Sequence, residues 1–383
     1  MRIALLSYST KPRGGVVHTL HLAEALAEAG QDVTVWTLGR GGDAGFFRPV
    51  NPLVRLRIVP FPDGPDGEGV GARVLRSIAA LRAEFDPAPY DIVHAQDCIS
   101  ANAVDRCVRT VHHIDHFTTP ELAACHERAI VEPYAHVCVS STVADELAQG
   151  WGRKAEVIPN GVAYERFAHT DPEDRARWRG RLGRYVLAVG GIEPRKGSLD
   201  LIEAYSLLRA TEPDVRLVIA GGETLFDYRD YRASWDARVA SLGVEPTVLG
   251  PVPDDELPAL VAAAGAFAFP SVKEGFGLAA MEALAAGVPL VVRDLPVLRE
   301  VFTGAARFAD TPTVLAEQLL AALTDDASAR RAAGQELAAR HTWAAAARRH
   351  LDFYARLAQS HSRRARTPQR PDQLAEAAGQ PHD

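Results

Sequence analysis

Short apolar runs alternate along this chain with segments whose apolar residues recur at helical spacing, and glycine-rich turns join several of the pairs. Residues Arg2–Ser7 read as a buried strand. After a Pro/Gly loop, Val17, Leu20, Ala23, Leu26 and Ala27 mark one helix face up to Gly30, and Asp32–Leu38 reads as the next strand. Strand, glycine loop, helix, strand is a βαβ unit, whose strands run parallel because the helix carries the chain back over the sheet. The unit repeats loosely through Asp91–Gln96, Cys107–His112 and His136–Ser141. A second series runs through Tyr185–Gly190, Arg216–Ala220, Thr247–Leu249, Gly265–Phe269 and Pro289–Val292. The expectation is an α/β chain of two doubly wound, Rossmann-like parallel-sheet domains, for which 383 residues suffice. The boundary is expected near Asn160–Asp171, giving domains over residues 1–166 and 167–341 with a ligand cleft between them.

The segment Phe269–Val292, FPSVKEGFGLAAMEALAAGVPLVV, carries two carboxylates eight residues apart across a glycine turn that opens into a helix. Pro270, Gly275 and Gly277 make the turn, and Leu278–Ala286 has helix-forming composition closed by Gly287 and Pro289. The backbone amides of Gly275, Phe276, Gly277 and Leu278, with the positive end of the helix dipole, form an anion site suited to a diphosphate. Glu282, one turn inside the helix, can accept both hydroxyl hydrogens of a ribose diol, while Glu274 is left facing a sugar. A glycosidase pair fits less well: eight helical residues span about 12 Å, against the roughly 5 to 9.5 Å that glycoside hydrolysis needs. Two solvated glutamates at a helix edge is the plain alternative.

Arg195 and Lys196 lie in the glycine-rich turn after Tyr185–Gly190, where a forked donor and a point charge could meet phosphate oxygens. Two adjacent basic residues in a loop are also commonly just solvated. His112, His113, Asp115 and His116 follow the strand Cys107–Val111 at the end that faces the usual ligand crevice, which makes His113 and His116 candidate acceptor contacts. Gly14 and Gly15, before the first helix, would let the backbone approach a diphosphate or an acceptor.

Composition narrows the partners. Net charge is −7, and residues 1–166 carry 16 Lys and Arg against 20 Asp and Glu, so nothing offers a basic field for nucleic acid or stable docking on an anionic membrane. The N-terminal apolar run is too short for a signal peptide, and no stretch approaches the length of a membrane span, so a cytoplasmic protein is expected. Cys98, Cys107, Cys125 and Cys138 lack paired C-x-x-C spacing, no D-x-D pair ends a strand, and there is no G-x-G-x-x-G. Neither a metal nor a nicotinamide cofactor is expected. Asp63–Gly71 reads as a mobile loop, either closing over an acceptor or a surface excursion. Beyond Gln359 the chain has too few apolar groups to order itself, and residues 359–383 are expected to be a disordered tail.

The run E-G-F-G-L-A-A-M-E followed by A-L-A-A-G-V-P resembles the paired-glutamate motif of retaining glycosyltransferase family 4, which has the GT-B fold. Pro12–Gly15, Thr110-Val111-His112, Ile158–Val162 and Val189–Gly197 follow in the family's order, covering roughly residues 1 to 358. The resemblance implies an acceptor-binding domain over 1–166 and a nucleotide-sugar domain over 167–341. By the same resemblance a last helix, 342–358, would pack back on the first domain. It further implies a hexosyltransferase acting without metal or cofactor and with retained configuration. The implied donor is a nucleoside diphosphate sugar, and the implied acceptor an unidentified small molecule, glycan or lipid. His112, Glu274, Arg195 and Lys196 would be catalytic, with Gly14, Gly15, Arg195, Lys196, Gly275, Phe276, Gly277, Leu278 and Glu282 around the donor. Many members have arginine where this chain has Gly191, which concentrates the basic contribution in Arg195 and Lys196. A sugar-nucleotide epimerase, a phosphorylase or a noncatalytic nucleotide-sugar sensor are the competing readings.

Overall fold

The computed structural model describes residues 1–65, 67–115, 117, 119–222 and 228–366, with side chains through residue 359. The strands are β1 (Arg2–Leu6), β2 (Asp32–Arg40), β3 (Arg55–Phe61), β4 (Ile92–Ala95), β5 (Val108–Val111), β6 (Ala135–Cys138), β7 (Ala155–Val157), β8 (Tyr185–Val189), β9 (Arg216–Ala220), β10 (Thr247–Gly250), β11 (Ala266–Phe269), β12 (Leu290–Arg293) and β13 (Ala306–Ala309). They form two sheets, ordered β3-β2-β1-β4-β5-β6-β7 and β10-β9-β8-β11-β12-β13, and every pairing is parallel. Two Rossmann-like α/β sheets are therefore present, as the alternation predicts.

Each sheet is covered on both faces, which is why its central strands are continuously apolar. In β1, Ile3 and Leu5 pack with Leu22 and Leu26 of the helix Gly14–Glu28, while Ala4 and Leu6 pack with Leu81 and Phe85 on the opposite face. In the second sheet, Leu187, Phe267 and Leu290 meet the helix Leu278–Ala285, and Val186, Ala268 and Val291 meet Leu201, Ile202 and Leu319. The helix Trp343–Arg366 contributes Trp343, Ala347, Phe353 and Tyr354 to the core of the first sheet.

The chain passes from one sheet to the other at Val162, which forms an isolated bridge with Thr342 on the returning segment. A Cβ on Gly161 would lie 2.4 Å from the Trp343 nitrogen, so the two crossings run side by side only because residue 161 has no side chain. A second link spans the cleft at its rim. The Glu300 carboxylate accepts from both N–H and both hydroxyl groups of Ser141 and Thr142 at 2.5–2.9 Å.

Several local expectations change. Strands β3, β7 and β13 were not legible: β3 is an edge strand whose Arg55, Leu56 and Arg57 are exposed, and the other two are short. The charged stretch Asp171–Arg184 is mostly the helix Pro172–Leu182, anchored by buried Trp178 and Leu182. In Asp63–Gly71, where Asp66 lies outside the described residues, Glu68 is held by Arg76 at 2.7 and 2.9 Å, and residues from Val70 already belong to the helix Val70–Glu84. The segment is tethered rather than a free excursion. The last helix also runs past Gln359 to Arg366, because its backbone hydrogen bonds need no apolar face. The remainder of the expected tail, residues 367–383, lies outside the described residues.

Candidate active site

In both sheets the strand order reverses beside the first strand, between β1 and β4 and between β8 and β11. Loops leaving neighbouring strands there diverge to opposite faces and open a crevice. Gly14 and Gly15 follow β1, His112 follows β5, Arg195 and Lys196 follow β8, and Glu274–Leu278 follow β11. Topology thus gathers residues that are far apart in sequence.

Arg195 and Lys196 sit on a single 3-10 turn, Pro194–Lys196, and both reach one carboxylate oxygen. Arg195 Nη1 donates to Glu274 Oε1 at 2.9 Å, and Lys196 Nζ donates to the same atom at 2.5 Å. The second Arg195 nitrogen, Nη2, donates to Glu193 Oε1 at 3.3 Å. The Glu274 side chain is 11% exposed. Burial alone would raise its pKa, but Lys196 and Arg195 outweigh it and hold the group at about 2. Burial pushes the Lys196 ammonium the other way, downward, against the pull of Glu274. The stem of Lys196 lies along Gly190, and its Nζ stands 5.0 Å from the centre of the Phe269 ring. Ala188, Gly191, Ser198 and Ser271 complete a small pocket around it.

The glycine turn touches the other side of the cleft. A Cβ on Gly275 would fall 1.6 Å from the His112 carbonyl oxygen, so only glycine lets the two backbones meet. Gly277 begins the helix Leu278–Ala285 at φ +96°, and the first N–H groups of that helix have no intrahelical acceptor. The Phe276 side chain is buried against the second core beside His341, which leaves its amide as the part that can face a ligand. Leu278 packs on the cores of both sheets. The His112 ring lies near Gly15, at 3.7 Å from a Cβ built there, whereas one built on Gly14 meets nothing within 4 Å. His113 Nε2 pairs with Asp115 at 3.1 Å, and the field of Asp115 reaches Arg195. His116 lies outside the described residues.

Glu282 is half-buried and stands apart from these cations. Burial raises its carboxyl to about 8, opposed by Arg166 and reinforced by Asp254, which itself pairs with Arg166 at 2.8 Å. The two glutamates of the motif are therefore shifted in opposite directions, Glu274 down by its cations and Glu282 up by burial.

The family description "Glycosyltransferase Family 4" matches residues 12–166 and "Glycosyl transferases group 1" matches residues 173–340. The D-inositol 3-phosphate glycosyltransferase of Salinispora arenicola is 32% identical over 76% of this chain and 76% of its own. The chain belongs to glycosyltransferase family 4. The phosphatidyl-myo-inositol mannosyltransferase of Mycolicibacterium smegmatis is 28% identical over 85% of this chain and 86% of its own. Two solved structures share the fold. They are Anabaena HepE in complex with UDP and glucose (TM-score 0.72, 20% identity, 93% of this chain and 99% of that one) and sucrose-phosphate synthase from Thermosynechococcus elongatus (TM-score 0.75, 19% identity, 94% and 100%).

Three further charged residues act on these groups without having been named as site residues, Glu193 within the Val189–Gly197 motif and Arg166 and Asp254 outside the motifs. Glu193 stands in the same turn as Arg195, but Arg166 and Asp254 reach Glu282 from segments with no signature of their own. Among the described residues no cluster of three or more His, Cys, Asp and Glu could hold a metal ion, and no helix is long and apolar enough to cross a membrane.

The raised carboxyl of Glu282 has a consequence for stability. Its ordinary pKa is 4.5 and its folded value about 8, so between those pH values the folded chain keeps a proton that the unfolded chain has lost. Stability contributed by this group is full below 4.5, falls as pH rises to 8, and is flat above. Glu282→Gln is expected to escape that loss. Relative to wild type it should gain about 2–4 kcal/mol between pH 4.5 and 8.5. Thermal unfolding of both proteins at the two pH values checks this, and a difference independent of pH would show that Glu282 titrates normally.

Proposed function

We propose that this glycosyltransferase moves a hexosyl group from a nucleoside diphosphate sugar to an acceptor with retention of configuration. The observation that carries the reading is the asymmetry of the paired glutamates. On one side of the Gly275–Leu278 turn an ionised Glu274 is joined to two cations, and on the other a protonated Glu282 has no opposing charge of comparable strength.

A diphosphate laid on the turn would meet the helix-end N–H groups and draw Arg195 and Lys196 toward its oxygens. The charge that grows as the glycosidic bond breaks then falls on fixed donors, each typically worth a few kcal/mol in the transition state. Glu274, relieved of part of its pairing, would orient sugar hydroxyls. Glu282 would accept from the ribose diol, giving up its proton as it does so. His112, whose imidazole is kept neutral by burial and by Arg109, would hold a sugar hydroxyl from the opposite wall. Retention would follow if the departing phosphate oxygen takes the acceptor's proton on the same face, with no protein nucleophile. His113 is our candidate for an acceptor contact. All four cysteines are free, which fits a reducing, cytoplasmic setting.

Release of nucleotide from uridine, guanosine and adenosine diphosphate sugars tests the donor class. The names of the relatives make inositol phosphates and phosphatidylinositol the first acceptors to screen. Binding without turnover of any donor, across acceptors of all three classes, would sink the reading.

Turnover is also expected to be unchanged by a strong chelator, since side chains and backbone amides supply the positive charge. Loss of activity in chelator, restored by a divalent ion, would transfer the work of Arg195 and Lys196 to a metal.

A further inference from the structure

The motif Ile158–Val162 and the first helix converge on a residue that the mechanism above leaves unused. His18 lies in the helix Gly14–Glu28 and is 1% exposed. Its Nδ1–H donates to Asn160 Oδ1 at 2.9 Å. Its ring meets that of His112 nearly at right angles, with centroids 4.7 Å apart and an interplanar angle of 79°. Trp343 closes a second side at 5.3 Å and His350 a third at 6.5 Å. One imidazole of the first helix is thus gripped by three other segments: the loop after β5, the crossing between the sheets, and the last helix.

Packing alone gives no reason for histidine here. An apolar side chain would fill the space without burying a ring nitrogen, yet His18 Nε2 is buried with no hydrogen-bond partner. What histidine adds is a fixed plane. The bond from Nδ1–H to Asn160 selects one tautomer and one ring orientation, and an oriented ring edge can fix the neighbour it touches. That neighbour is His112, whose carbonyl is already set by Gly275 and whose ring is flanked by Gly15. Burial, with His112 and His350 close by, keeps His18 uncharged, so the contact stays that of two neutral rings.

We infer that His18, oriented by Asn160, is a positioning residue that holds the His112 ring at the cleft. The inference rests on the reading that His112 meets the donor sugar. It assigns the asparagine of the crossing segment a part in catalysis through His18, and it ties the setting of the site to the packing of the last helix.

The test is a double-mutant cycle on turnover, followed as nucleotide release from the donor that the screen selects, with bare nucleoside diphosphate titrated calorimetrically into each variant. His18→Phe keeps a ring but loses the bond to Asn160, and His18→Gln keeps a donor but loses the ring. Both are expected to lower kcat roughly ten- to a hundredfold, the size of effect a small misplacement produces. Diphosphate affinity should stay within about twofold, because His18 touches no part of the diphosphate site. In a His112→Ala background neither substitution should lower kcat further, since a residue that acts only through His112 has nothing left to position. Effects that multiply in the double variants, or wild-type kcat in either His18 variant, overturn the inference. Wild-type kcat in His112→Ala alone would remove the role of His112 itself, whereas loss there with none in the His18 variants removes only the positioning role. Nitrogen-15 spectra of the wild-type histidines give an independent check, and a His18 protonated at Nε2 instead of Nδ1 also overturns it.

Discussion

Glu274→Gln is expected to bind the bare nucleoside diphosphate at least as tightly as wild type while losing turnover by about a hundredfold or more. Glu274 accepts from both Arg195 and Lys196, so a diphosphate must compete with it for the same donors. Removing the carboxylate charge frees those cations for phosphate, yet takes away the group proposed to orient the sugar, a loss in the range typical of a preorganised charge. Glu282→Ala should behave in the opposite way. It loses hydrogen bonds to the ribose worth about 1.5–3 kcal/mol each, reduced by the cost of ionising a carboxyl whose pKa is about 8, which leaves a tenfold to hundredfold loss of diphosphate affinity. Calorimetry with the diphosphate and steady-state turnover with the sugar donor separate the two. Equal losses of affinity in both variants would show that the division of roles between the glutamates is wrong. Wild-type Glu282 should also release a proton on binding near pH 7, visible as a dependence of the apparent heat on the buffer.

The double variant Arg195→Ala, Lys196→Ala is expected to lose both diphosphate affinity and turnover at saturating donor, the second because part of the interaction strengthens only as the leaving group gains charge. The structure adds a complication that the sequence did not suggest. Both substitutions strand the Glu274 carboxylate, which then keeps the penalty of burial without the pairing that offsets it. Its pKa should climb, and the variant should unfold more readily at neutral pH than in acid. A triple variant that also carries Glu274→Gln removes the stranded charge and is the better probe of phosphate binding. If the triple variant stays folded and keeps wild-type diphosphate affinity, the phosphates bind elsewhere, and the mechanism proposed above fails at its centre.

The fold was largely legible because its signals are local. A run such as Tyr185–Val189, a glycine turn and a helical stripe each report backbone preference over a few residues, and the parallel order of strands follows from the connections they force. What escaped was whatever lacked a local signal. Strand β3 is an exposed edge interrupted by Pro60, and the helix Tyr164–Ala168 occupies what read as the domain boundary. The last helix extends past Leu357, its final large apolar residue, because helical hydrogen bonds, once started, continue without a core to face.

The site divides along the same line. By itself the sequence determined which residues stand at strand ends, where the glycine turn opens a helix, and that two carboxylates flank it. Only the tertiary structure decided what those carboxylates are. Glu274 is held low because Lys196, 78 positions away, donates to it, and Glu282 is raised because burial outweighs the pull of Arg166. His18 and Asn160, 142 positions apart, likewise meet only once both sheets and the last helix are packed. Backbone conformation is set by near neighbours in the chain, whereas desolvation and charge pairing are set by whichever atoms arrive through space. Identical residue types eight positions apart can therefore be shifted in opposite directions in one motif.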